Sequence, residues 1–189
     1  MNINGRLIIF TFVIIILATA CKYFFGPDLA WSGFSPVIAI ALFSGFILKQ
    51  KDASFVLPLL ALFFSDVAIQ LLYSANLFPY EGFYGGQWKN YLFLLSCTLI
   101  GWMLKGRSYS SLGLGALAAP TVFFLISNFS VWLNTTEAVY AKKIGGLITC
   151  YEAGLPFYRN SLIATLLFLP VILIAYNLIT KQKTALKLA

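Results

Sequence analysis

Six apolar runs, separated by polar or glycine-bearing stretches, take up most of this 189-residue chain. They are Leu7 to Phe25, Ser35 to Leu48, Ala53 to Tyr73, Trp88 to Leu104, Leu112 to Leu133 and Asn160 to Thr180. Crossing about 30 Å of hydrocarbon takes roughly 20 helical residues, and a backbone with unpaired polar groups is not tolerated at that depth. Each run is therefore read as a helix. The fourteen residues of 35–48 make a short crossing or a half-inserted segment, and counting them as a crossing gives an even number of spans. With 60% hydrophobic and 10% charged residues, the expectation is an all-α integral membrane protein. It is a single six-helix bundle with no soluble domain attached.

The basic residues orient that bundle, because cytoplasmic flanks carry the excess of Lys and Arg. With both termini inside, Arg6, Lys49, Lys51, Lys105, Arg107, Lys181, Lys183 and Lys187 share the cytoplasmic side with one acid, Asp52. Lys22, Lys89, Lys142, Lys143 and Arg159 lie outside, offset by Asp28, Glu81, Glu137 and Glu152. The net charge of +7 then reads as topology and contact with anionic lipid. It does not read as nucleic-acid binding, since no basic run is interleaved with aromatics. Arg6, the following apolar core and Ala18-Thr19-Ala20 also resemble a cleavable signal, but Tyr23-Phe24-Phe25 carry the apolar run past the cut, so an uncleaved first helix is the better reading.

Several chemistries are excluded at this level. The chain has no histidine, and Cys21, Cys97 and Cys150 lack metal-ligand spacing, so neither a zinc site nor a Ser-His dyad can be built. Cys21 and Cys150 both fall near the outer face, where a disulfide is geometrically feasible, although three separate thiols is the simpler reading. No Gly-x-x-x-x-Gly-Lys loop is present to hold ATP. An enzyme is not expected, no cofactor is implied, and energy for any transport must come from another chain.

One residue stands against the apolar background. Asp66 lies deep in the third run, and an ionisable side chain there is costly enough to need a partner or a ligand. Asp66, Gln70 and Tyr73 follow at i, i+4 and i+7, hence on one helix face. Ser127, Asn128, Ser130, Trp132 and Asn134 end the fifth run, and Tyr158, Arg159 and Asn160 open the sixth. Polar and aromatic groups thus converge on the outer end. The inner halves hold small residues, Gly101, Gly106, Gly113, Gly115, Ala116, Ala118 and Ala119, which suit close helix packing or docking on a partner. Asp66 and Arg159 are the natural ion pair, either structural or parted by a ligand. The outer connections, Gly26 to Phe34, Ser74 to Gln87 and Asn134 to Tyr158, are long and rich in Gly and aromatics, as lids or as interfacial anchors.

The blocks Phe34 to Gly45, Leu57 to Asp66, Ile126 to Leu133, Cys150-Tyr151 and Pro156 to Asn160 resemble a bacterial family of unknown function, DUF6580. That family is similar to the substrate-binding S components of energy-coupling factor vitamin transporters. The resemblance implies a six-helix S-component-like fold in the bacterial inner membrane. It also implies a vitamin-like ligand bound from the extracytoplasmic side, and partners in an energy-coupling membrane subunit and ATPases. The solitary cobalamin S components are the nearest relatives it suggests, and by that resemblance Asp66, Tyr84 and Arg159 occupy pocket positions. Those relatives use a third-loop cysteine on cobalt, and no cysteine lies between Asp66 and Trp88 here. Cobalamin is thus one candidate among several. The Ala-x-x-x-Ala docking motif of shared energising modules is also missing. The expected ligand-binding set is Asp66, Gln70, Tyr84, Asn128, Trp132, Arg159 and Asn160. The alternative is a non-transporting membrane scaffold in an envelope-assembly complex.

Overall fold

The computed structural model describes residues 5–48, 50–104 and 108–181. Of the residues used for orientation and packing above, Lys49, Lys105, Gly106, Arg107, Lys183 and Lys187 lie outside the described residues. Six α-helices follow in order: α1 Gly5–Phe25, α2 Val37–Ile47, α3 Lys51–Ser74, α4 Trp88–Met103, α5 Tyr109–Asn134 and α6 Ile144–Thr180, with a 3-10 turn at Leu29–Trp31. Four of them, α1, α3, α5 and α6, are long and apolar enough to cross a membrane. The other two are shorter, α2 with 11 residues, as the brevity of the 35–48 run suggested, and α4 with 16.

The helices are arranged as a ring around a centre. Neighbour contacts run α3 to α1, α1 to α6, α6 to α5, α5 to α4 and α4 back to α3, while α2 touches α3, α4, α5 and α6. All α2 residues except Ile47 are buried. A helix that is apolar on every side belongs inside a protein or a membrane, and here the inside of the ring supplies that setting. At 11 residues α2 is also the shortest of the six helices.

Two packing devices hold α2. On one side Phe10 of α1, Phe43 of α2 and Tyr176 of α6 form a triangle of rings with centroids 5.2–5.5 Å apart. On the other, α2 and α4 meet backbone to backbone. A Cβ at Gly45 would lie 2.0 Å from the Thr98 carbonyl oxygen, and one at Gly101 would lie 2.2 Å from that of Leu42. Gly115, Ala116 and Ala119 of α5 are buried as well, so most of the small residues serve packing within this chain. Gly113 is the exception, with nothing near it.

The sixth helix differs most from the sequence reading. Residues 144–158, expected to be loop, are helical, and α6 is 37 residues long. Gly145-Gly146 and Pro156 read as breakers, yet this segment packs along α5. A Cβ at Gly154 would fall 2.4 Å from the Asn128 Oδ1, a closeness that only glycine permits, and Cys150 donates to the Asn128 carbonyl at 3.4 Å. Proline is tolerated in such helices when neighbouring elements take up the released backbone groups. Cys21, Cys97 and Cys150 are all free and buried, so no disulfide joins the first and third of them.

Candidate functional site

The site is built around the acid that the sequence made conspicuous. Asp66 is 3% exposed, and both carboxylate oxygens are engaged. Oδ1 forms an ion pair with the Lys22 ammonium, and Oδ2 accepts from Gln87 Nε2 at 2.6 Å and from the Tyr91 hydroxyl at 2.5 Å. Lys22 comes from the last turn of α1, where the helix's free carbonyls favour a cation. Gln87 ends the α3–α4 connection, and Tyr91 lies in the first turn of α4. A buried carboxylate is stable only when paired and hydrogen-bonded, and three elements meet to do this.

That cluster lines a cavity of about 820 Å³, open to one side and bordered by the ends of α1, α2, α3 and α4, the connections α1–α2 and α3–α4, and single residues of α5 and α6. Much of the remaining lining is aromatic. Trp31 lies edge-on to Phe34, ring centroids 5.4 Å apart, and both pack on Phe25. Tyr73, Tyr80, Tyr84 and Phe123 complete the lining. The Tyr84 hydroxyl accepts from Asn90 Nδ2 at 2.7 Å. Desolvation, and next the charge of Asp66, raise its phenol above the ordinary tyrosine range against the smaller opposing effect of Asn90. It therefore stays protonated at neutral pH.

Both connections over the cavity are tied down. Gln70 Oε1 accepts from the backbone N–H groups of Gly82 and Phe83, each at 3.1 Å. On the other side Asn160, 4% exposed, donates through Nδ2 to the carbonyls of Ala30 at 2.8 Å and Ser32 at 2.9 Å. Gly33, with φ 86°, turns the chain so closely over α6 that a Cβ would lie 2.8 Å from the Phe157 carbonyl oxygen.

Of the seven expected ligand contacts, Asp66 and Tyr84 line the cavity. Gln70 and Asn160 instead fasten the loops that cover it. Asn128 hydrogen-bonds to the Phe124 carbonyl of its own helix at 3.0 Å, at the α5–α6 contact. Trp132 donates to the Ala141 carbonyl at 3.0 Å, and the Lys142 ammonium sits 5.4 Å from its ring centroid, closing the α5–α6 turn. Arg159 is exposed in the middle of α6. The expected Asp66–Arg159 pair is thus replaced by Asp66–Lys22. Sequence reasoning missed Lys22, Gln87 and Tyr91. Lys22 was legible in principle as a cation at the end of a neighbouring run, on the same side as Asp66.

The chain belongs to DUF6580, a family of unknown function, whose model matches residues 1–186. No curated protein and no solved structure matches the chain. Membership of DUF6580 by itself links the chain neither to S components nor to cobalamin.

Proposed function

We propose that this chain is a substrate-binding integral membrane subunit for uptake of a small vitamin-like molecule, with the cavity facing the extracytoplasmic side. The observation that carries the reading is the cavity of about 820 Å³ lined by an ion pair and by several aromatic rings. Pockets for small molecules run from roughly 300 to 1,000 Å³, apolar in the main with a few placed polar groups. The aromatic side chains line this space and do not fill it, which favours ligand binding over a scaffold whose pocket is plugged by its own rings. The fastened connections support a largely preformed site, which lowers the ordering cost of binding.

In this reading the bundle moves as a unit against an energy-coupling membrane subunit with associated ATPases, and cobalamin is one ligand candidate among the vitamins. The test is native mass spectrometry of the detergent-purified protein after expression in cells supplied with B-group vitamins. A single stoichiometric adduct, weakened by Tyr84→Ala, supports the reading. A clean apo spectrum beside known vitamin binders run in parallel overturns it.

A further inference from the structure

The cavity offers its polar groups unevenly. Asp66 has little left for a ligand, because three donors already occupy a carboxylate that accepts about four hydrogen bonds. Lys22 is in the opposite condition. An ammonium carries three donors, Asp66 takes one of them, and the side chain keeps 22% of its surface exposed where it lines the cavity. Tyr84 spends its hydroxyl oxygen on Asn90 and retains its proton. Among the described residues of the lining, Lys22 is the one cation. Glu81 is the other acid of the lining, exposed on the α3–α4 connection, where solvent screens it.

The geometry points to a ligand that presents a carboxylate to Lys22 and lays a flat apolar body among the aromatic side chains of the lining. This rests on the ligand-binding reading above and names the chemical class. A ligand ammonium would face the Lys22 ammonium, and a dianionic phosphate would call for a second cation that the lining does not supply. A single negative charge fits. Lys22 need not leave Asp66 to do this, because one donor stays on Asp66 while the others reach the ligand, and Gln87 and Tyr91 remain on Asp66. Asp66 is then a positioning residue: it holds Lys22 at the wall.

The test uses the full-length protein in detergent and matched pairs differing only at the acid: indole-3-acetate against indole-3-acetamide, biotin against biotinamide, and nicotinate against nicotinamide. Binding is read by thermal shift and by titration. In at least one pair the acid should bind at least tenfold more tightly than the amide. The preference should vanish in Lys22→Met, and also in the charge-balanced Lys22→Met/Asp66→Asn, which guards against misfolding. It should be reduced but not abolished in Asp66→Asn, which loses the group that holds Lys22 in place, where a merely structural ion pair would lose it as completely as in Lys22→Met. Acid and amide binding alike, or an acid preference that persists without Lys22, overturns the carboxylate assignment and leaves the ligand-binding reading standing. Binding by no member of any pair also overturns the carboxylate assignment, and the ligand-binding reading then stands or falls on the adduct test above.

Discussion

Gly82 approaches Asp66 so closely that a methyl group on its Cα would lie 2.0 Å from the Asp66 carbonyl oxygen and 2.5 Å from the Gln70 amide nitrogen. The residue that anchors the cavity's ion pair is therefore also the surface on which the α3–α4 connection rests. Gly82→Ala must lift that connection and break its bonds to Gln70, at about 1–3 kcal/mol by analogy with other overpacked contacts. Hydrogen exchange across residues 75–87 should accelerate and ligand affinity should fall. Gly85→Ala, with nothing within 4 Å, should change neither.

The Lys22–Asp66 pair predicts an asymmetry between single and double replacement. Removing one partner of a buried pair costs roughly 3–5 kcal/mol. Lys22→Met should fall at the low end or below it, since its partner keeps two other donors and Lys22 itself is 22% exposed. Lys22→Met/Asp66→Asn should recover most of the loss in melting temperature in detergent. A double variant no more stable than Lys22→Met would contradict the pairing.

Glycines at the α2–α4 contact should be irreplaceable, in contrast to the one that faces open space. Gly45→Val or Gly101→Val drives a side chain into a carbonyl of the facing helix, and the protein should fail to elute as a single species on size exclusion. Gly113→Ala meets nothing and should be neutral, or stabilising by up to about 1 kcal/mol from helix propensity.

Adjacent residues of α6 should behave oppositely. Arg159→Ala changes an exposed side chain and should shift stability by less than about 0.5 kcal/mol while leaving any ligand adduct intact. Asn160→Ala removes both bonds that hold the α1–α2 connection, each contributing about 0.5–1.5 kcal/mol. Ligand dissociation should quicken, as read by stopped-flow release.

What the sequence revealed and what it concealed divide along physical lines. Apolar runs located α1, α3, α4 and α5 to within a few residues, because lipid and core both demand the same composition. The start of α6 at Ile144 was hidden because Gly146, Gly154 and Pro156 carry breaker propensities that α5 overrides by packing. Asp66 was conspicuous as a lone acid in an apolar run. Its partner was not, since a lysine at the end of a run ordinarily marks the membrane interface. Gln70 and Asn160 were rightly singled out as polar groups near the site, but they bond to the chain's own loops. For Asn160 those partners are 128 and 130 positions away in sequence, and no local pattern reports a pairing of that range.

Because α2 lies inside the ring, the helices that meet lipid and the helix at the centre answer to different surroundings. A thinner or thicker bilayer is accommodated by tilting the helices that touch it, and in this fold those are on the rim. Val37 and Ile38, which begin α2 and form part of the cavity lining, are buried with it. Reconstitution into short- and long-chain lipids should therefore tilt the rim helices that carry Lys22, Asp66 and Tyr91 against a fixed α2, so the shape of the cavity should respond to the thickness of the bilayer.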